Sequence, residues 1–403
     1  MLGNPAEAGR GMGRPFKLRD ASFKDHEQIA SLESRHGLVS KKYDEWSHLW
    51  LGNPVYRERR ADWSIGWVLE DDHHQIVGTM GNIPLLYEFE GRRILAASGR
   101  HWVAEPAYHS ASLILLDRLV NQKNVDLFLN NTVSAPAAAA ALDVFGCPRV
   151  PVGVWDESRF WITHYQGFAE SVLNWKEYPF SKPLSYPLAA ALVLKGCLGK
   201  AKLRESDVEV TVCSGFDERF DDFWEGLKSS NPHRLLAVRT REILDWHYKH
   251  ALLDDRLWIM AVVDGGRLVA YATFERKDKP EVGLKRMSLV DYQSLDGSTG
   301  LLLPLLSRAL KKCRDEGIHA LENIGRWLEH GELIETVAPY RRKLPAWSYV
   351  YRASEPGLAE RLKDPRVWAP SLFDGDASLC AGVVMRTHDR ALTRDMIAAA
   401  DSF

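Results

Sequence analysis

Hydrophobic and polar positions change period along this chain, and each change marks an element. From Ile65 to Glu70 they alternate as in a strand, Asp71 to His74 supplies a turn, and Gln75 to Thr79 returns as a second strand. Another pair of strands, Leu85 to Glu90 and Arg92 to Val103, meets at Gly91. Past Pro106 the period lengthens, with Leu113, Leu116 and Leu119 or Val120 at helical spacing. Val125 to Leu129 reads as a short buried strand. The alanine-rich run after it reads as a helix that stops at Phe145-Gly146, where glycine is a favoured terminator.

The same succession returns further on. Leu244, Trp246 and Tyr248 lie on a helix, as Trp46 does in the run that ends at Gly52-Asn53-Pro54, and core packing is the expected role of these aromatic residues. Trp258 to Val263 and Arg267 to Glu275 form a hairpin around Asp264-Gly265-Gly266. Leu284 to Val290 predicts a strand, Leu305 to Cys313 a helix, His319 to Ile324 a strand, Leu328 to Val337 a helix and Trp347 to Arg352 a late strand. Hairpin, strand, helix, strand, helix, strand thus occurs twice, which predicts an internal duplication. The expected fold is α/β (α+β), with two tandem domains, each a mixed, mostly antiparallel sheet flanked by helices. The expected boundaries are a disordered leader over 1–15, domains over 16–195 and 206–353, and a tail over 354–403. Lys195, Gly196, Gly199, Lys200 and Lys202 mark the link, and Trp368 is expected to pack the tail onto a domain surface.

The length of 403 residues agrees with two cores rather than one. A net charge of −2 exerts no general pull on nucleic acid or an anionic membrane. Five scattered cysteines, with no CxxC, predict neither structural zinc nor a disulfide framework. The leader has no apolar core of a signal peptide, and Leu188 to Leu198 is too short to span a bilayer, so a cytoplasmic address is expected. His73-His74, in a predicted turn, reads as surface rather than as metal ligands.

Chemistry is best placed where Val103-Ala-Glu-Pro-Ala-Tyr-His-Ser-Ala-Ser112 leads into the Leu113 helix. Small residues at a helix N-terminus present free N–H groups and a favourable dipole to a phosphate. This segment resembles the pyrophosphate loop of the GNAT superfamily of acyl-CoA-dependent N-acyltransferases. Asn131 and the small residues up to Phe145-Gly146 resemble the motif that follows it. The sequence departs from the pattern: His109 stands for the usual basic residue, and Ser110 and Ser112 for glycines. Serine costs close backbone approach. In the second copy Gly297, Ser298, Thr299 and Gly300 hold the loop position, with Asp291 and Asp296 bringing negative charge nearby; Pro304 implies either a helix that starts near Gly300 to Leu303 or a kinked one.

The resemblance implies an acyl-CoA co-substrate, acetyl-CoA being the expected one, no metal, and a small-molecule or peptide amine as acceptor. It implies coenzyme contacts from Val103, Ala104, His109, Ser110, Ala111, Ser112 and Asn131 in the first copy and from residues 297–300 in the second. A carboxylate near the central strand would be the base, Glu105 or Asp291, with Val103 and Ala104 supplying oxyanion N–H groups and Tyr340 a candidate acid in the second copy. Arg341-Arg342-Lys343 reads as a solvated basic loop within reach of a coenzyme phosphate. Two other functions fit the same elements: a FemABX-like transferase using aminoacyl-tRNA, disfavoured by the absence of a basic surface, and a non-catalytic protein with degenerate pockets, favoured by the missing glycines.

Overall fold

The computed structural model describes residues 14–133, 136–198, 207–326, 328–344 and 348–379. The leader up to residue 13, residues 199–206 of the expected link, and the tail from residue 380 lie outside the described residues.

Up to residue 150 the order is β1 (Lys17–Asp20), α1 (His26–Arg35), α2 (Tyr43–Leu51), α3 (Pro54–Arg59), β2 (Gly66–Glu70), β3 (Ile76–Phe89), β4 (Arg92–Ala104), α4 (Leu113–Val120), β5 (Leu127–Val133) and α5 (Pro136–Val144). There follow β6 (Val154–Ile162), α6 (Tyr165–Trp175), α7 (Ser181–Leu198), β7 (Val210–Cys213), α8 (Glu218–Ser230), β8 (Leu236–Ala237), α9 (Arg241–Leu253), β9 (Leu257–Asp264), β10 (Arg267–Arg276), β11 (Arg286–Ser294), α10 (Leu302–Asp315), β12 (Ala320–Arg326), α11 (Leu328–Val337) and β13 (Tyr340–Lys343). Last come β14 (Ser348–Ala353) and α12 (Pro356–Arg361). Among the described residues no helix is long and apolar enough to cross a membrane.

Two compact units form, but they are not consecutive halves of the chain. The first holds residues up to Val150, Ser348–Val367 and the segment from Gly375; the second holds Pro151–Trp347 and Trp368–Asp374. The units therefore divide at 150/151 and 347/348, not in the expected link at 195–207. The reason is strand pairing. β6 lies antiparallel to both β12 and β13, whereas β14 lies antiparallel to β5, with Tyr351 opposite Leu129. An alternating pattern marks a strand but does not name its partner.

In the first unit the strand order is β1-β2-β3-β4-β5-β14. The two strands expected at 75–79 and 85–90 are one strand, β3, paired along its length with β4. The ladder slips where Thr79 faces Val103 and Gly81 faces Arg100, so His101 and Trp102 together oppose Met80. His101 takes a positive φ of 51° at this bulge. β4 and β5 run parallel only from Ala96–Leu127 to Ser98–Leu129. Trp46 is buried, consistent with its expected packing role, and Trp50 is buried beside it.

The second unit repeats the design. Its sheet has the order β13-β6-β12-β11-β10-β9-β7. β11 carries the extra residue: Asp291 faces Thr273 and Leu289 faces Phe274, which leaves Val290 as the bulge. β11 and β12 are parallel only from Arg286–Ala320 to Leu289–Asn323. α10 covers one face through Leu302, Leu305, Leu306, Ala309, Leu310 and Cys313, all buried at the i, i+3, i+4 spacing that makes a single apolar stripe. α10 starts at Leu302, so Pro304 lies in its first turn, where proline is tolerated. Beyond Asp315 the chain leaves through Gly317 (φ 62°), and Ile318 N–H closes onto the Cys313 carbonyl.

Candidate functional site

In the second unit the gap between β11 and β12 opens a cleft. Leu295 N–H bonds to the Val269 carbonyl, which fixes the alternation along β11. Asp291 and Gln293 turn their main-chain groups to β10, and Tyr292 and Ser294 turn theirs to the side that β12 has left. Val290 agrees with this phase: its carbonyl accepts from Leu372 N–H at 3.1 Å on that side. Leu289, Tyr292, Asn323, Ile334 and Ser371 are among the lining residues, and the cleft runs to Gly297.

There the loop to α10 begins. Gly297 has φ 67°, open to glycine at little cost, and its N–H bonds back to the Ser294 carbonyl at 3.1 Å. The Ser298 carbonyl is held by the Tyr292 hydroxyl and by Ser294 Oγ, each at 2.9 Å. Asp296 does not spread its charge over the loop. It accepts from Ser298 N–H at 2.9 Å and competes with the Ser298 carbonyl for the single Ser294 Oγ proton, also at 2.9 Å; these bonds, the Ser298 N–H first, hold its pKa below the ordinary value. The N–H groups of Thr299 and Gly300 take no backbone partner among the described residues. They stand just ahead of the α10 N-terminus, an arrangement suited to an anion.

Asp291 lines this cleft but is not a free carboxylate. Arg239 donates to Oδ2 from Nε at 2.8 Å and to Oδ1 from Nη2 at 3.1 Å, and Gln293 Nε2 reaches Oδ1 at 3.0 Å. Burial raises its pKa, and the charge and hydrogen bonds of Arg239 outweigh that, so the carboxyl sits below its usual value. A carboxylate held this way has little affinity for a proton, which counts against Asp291 as the base. Arg239 also reaches Ser371 Oγ and Asp374, at 3.4 and 3.5 Å. Tyr340 is not brought to Asp291. Its strand, β13, is separated from β11 by β6 and β12, roughly 14 Å at the ordinary strand spacing. Its hydroxyl donates to the Leu192 carbonyl of α7 at 2.5 Å. Arg341-Arg342-Lys343 is strand β13 rather than a loop, with Arg342 buried against Glu322.

In the first unit Val103 and Ala104 pair with β3, opposite Thr79 and Gly78. Glu105 follows them, joined to Arg35 at 2.8 Å with His36 at 3.6 Å. The Arg35 hydrogen bond is the main cause of its lowered pKa. The loop beyond is partly tied. Tyr108 N–H bonds to the Glu105 carbonyl and Ser112 N–H to the Tyr108 carbonyl, while those of Ser110 and Ala111 take no backbone partner among the described residues. His109 Nε2 lies 3.0 Å from the Ala104 carbonyl, and Ser112 Oγ donates to the His109 carbonyl at 2.7 Å, so both side chains serve the loop itself. Asn131 is fully buried. Its Oδ1 accepts from Asp376 and Ala377 N–H at 3.0 and 2.9 Å, and its own N–H donates to Asp376 Oδ1 at 3.2 Å. The β5 edge where β4 has departed is thus occupied by the segment from Gly375.

Arg239, Gln293, Asn323 and Asp376 are absent from the sequence reading. No motif announces them; Arg239 and Asp376 acquire their places through partners 52 and 245 positions away. Among the described residues no group of three or more His, Cys, Asp or Glu could hold a metal ion.

No protein-family model matches the sequence, and no curated protein resembles it significantly in sequence. Solved structures do. A GCN5-related N-acetyltransferase from Kribbella flavida superposes with a TM-score of 0.52 at 10% identity, over 84% of this chain and 71% of that one. Another, from Anabaena variabilis, gives 0.50 at 12%, over 84% and 73%. Saccharomyces cerevisiae N-myristoyltransferase, solved with bound myristoyl-CoA and inhibitors, gives 0.52 at 10%, over 92% and 86%. The fold is that of the GNAT N-acyltransferases. The N-myristoyltransferase match extends over nine-tenths of the chain, so the GNAT likeness takes in both units. Parallel strands that part beside a bulge are present in each unit, and in the second unit they open the cleft.

Proposed function

We propose that this protein transfers an acyl group from acyl-CoA to an amine, in the cleft of the second unit. The observation that carries this reading is the open edge of β11 leading to the Gly297–Gly300 loop at the start of α10. Support comes from the solved neighbours, among which N-myristoyltransferase holds myristoyl-CoA. In this reading the loop N–H groups take the pyrophosphate, and the pantetheine amides pair with the main chain of Tyr292 and Ser294. The thioester oxygen accepts from an N–H on that edge. There a fixed donor stabilises the charge that grows when the amine nitrogen attacks the carbonyl carbon and the C–S bond breaks. Asp291 acts as a positioning residue: with Arg239 it holds the parted half of β11 in place. The proton of the amine leaves through water, and the departing thiolate regains one. Acetyl-CoA is the expected donor, and a small molecule or peptide the acceptor.

The test is titration calorimetry with CoA, acetyl-CoA and myristoyl-CoA, followed by free-thiol release with a panel of amines. A Cβ at Gly300 would meet nothing nearer than Ser298 Oγ at 3.6 Å, so Gly300→Glu adds charge and bulk without strain. Acyl-CoA binding is expected to weaken at least tenfold in this variant. If no CoA species binds the wild type, or Gly300→Glu binds equally well, the cleft is not an acyl-CoA site.

A further inference from the structure

Helix α7 packs on the second unit through one side. Ser185, Leu192 and Gly196 recur at i, i+7 and i+11 and so share a face. Ser185 is buried, Leu192 packs against the cluster of Phe160, Phe168 and Tyr340, and its carbonyl receives the Tyr340 hydroxyl at 2.5 Å. A Cβ at Gly196 would come within 2.6 Å of that hydroxyl, so glycine lets the helix lie close there. Pro183, Pro187, Ala190 and Leu194 lie on the opposite face, and all four are exposed.

That opposite face is apolar. Every exposed position from Pro183 to Leu194 is Pro, Leu, Tyr, Ala or Val. Of the fourteen large apolar side chains that stand exposed among the described residues, six fall between Tyr178 and Leu194. Phe180 is 79% exposed and Leu194 65%. Phe180 also holds φ 63°, a backbone region uncommon for a bulky residue, in the turn that leads into α7. A helix that is apolar on nearly all sides normally has cover on all of them, in a protein core or in lipid. No helix of the described residues is long and apolar enough to cross a membrane, so α7 is suited to lie along one rather than through it.

Charge selects the kind of surface. From Tyr178 to Arg204 the sequence has five basic residues, Lys182, Lys195, Lys200, Lys202 and Arg204, and no acidic one. The whole chain carries −2, so this excess is local. We propose that α7 and the turn before it seat this protein on an anionic lipid bilayer. Tyr178, Phe180, Tyr186 and Leu194 enter the boundary between headgroups and acyl chains. Lys182, exposed beside them, meets the headgroups, and the other basic residues add attraction to an anionic surface. A second copy of the chain is a poorer partner for this face, because a two-fold contact through it sets like charges against each other. Among the described residues that line the cleft proposed for acyl transfer, none belongs to α7, so the seating stands apart from that reading.

The test is flotation of the full chain with vesicles of phosphatidylcholine alone and of phosphatidylcholine mixed with phosphatidylserine, at low and high salt. Binding to the mixed vesicles is expected to be at least tenfold tighter than to phosphatidylcholine, and to weaken as salt rises. Phe180→Asn suits the positive φ, and Leu194→Gln keeps a good helix former. Together they are expected to weaken vesicle binding at least tenfold, with the urea midpoint and CoA binding unchanged. Lys182→Gln is expected to weaken binding to the mixed vesicles only. Sedimentation velocity without lipid tests a second copy as the occupant. The proposal is overturned if the wild type does not float with mixed vesicles, or floats equally with both compositions. It is also overturned if the folded double variant floats like the wild type, or if the wild type is a dimer that the double variant breaks.

Discussion

Arg239 and Asp291 form a two-bonded ion pair, 2.8 and 3.1 Å, in which neither side chain is more than 1% exposed. The pair joins the segment before α9 to the centre of β11, and through Ser371 and Asp374 it also reaches the segment that borders the cleft. Removing one member leaves the other charge buried without its partner. Asp291→Asn is therefore expected to cost the second unit roughly 3–5 kcal/mol, seen as a lower urea midpoint. Because Asp291 is proposed to position β11 rather than to take a proton, whatever turnover remains is expected to keep the wild-type pH profile. A lost alkaline limb would show that Asp291 is the base after all.

Asp376 predicts a pH dependence of the opposite sense to most carboxylates. Burial raises its pKa to about 6, against the hydrogen bonds from Thr132 and Asn131. A carboxyl whose folded pKa lies above its unfolded one lends stability that is complete below about pH 4 and lost as pH rises through about 6. Asp376→Asn removes that titration. The stability of the variant relative to wild type is expected to rise by about 2–3 kcal/mol between pH 4 and 7, measured by urea unfolding at several pH values.

The two glycines of the α10 loop are expected to behave differently. Gly297 holds φ 67°, and an alanine there must adopt a left-handed backbone, at a cost of roughly 1–2 kcal/mol. Gly300 carries no such φ and has open space around it. Gly297→Ala should lower both the urea midpoint and CoA affinity, while Gly300→Ala leaves stability within about 0.5 kcal/mol.

In the first unit Glu33 receives Arg100 Nη1 at 2.5 Å and Nη2 at 3.2 Å. His101 Nδ1 also lies 2.8 Å from Glu33 Oε1, at an angle that leaves it without a well-formed hydrogen bond. Burial first, then the charge of Arg100, lowers the His101 pKa to about 4. A histidine depressed in this way withdraws stability as pH falls from about 6.5 towards 4. His101→Asn tolerates the positive φ and does not titrate, so its stability should fall less over that window than the wild type's. Equal slopes would show that another group carries the acid sensitivity.

Local signals are legible in the sequence. The Asp264-Gly265-Gly266 hairpin and the α10 stripe each depend on residues within a turn or two of one another, and both are present where the sequence placed them. β14 shows where that reading ends. Its alternation identified a strand, but nothing local distinguishes the edge of β5 from the edge of β12, and β6, without a clean alternation, went unread. The same limit hid the site chemistry. Asp291 was visible as a residue type in a suggestive position, whereas its state is set by Arg239, 52 positions away, and Asn131 by Asp376, 245 away.

The path of β14 bears on the order in which this protein is made. The first unit's sheet waits for a strand that the ribosome delivers only after the whole of the second unit's sheet. At about 5–20 residues per second, the edge of β5 stays bare for some tens of seconds during synthesis. An uncovered strand edge invites pairing with other chains. A fragment stopped at residue 150 would never cover it, so the first unit should aggregate when expressed alone and fold only when residues 348–353 are restored.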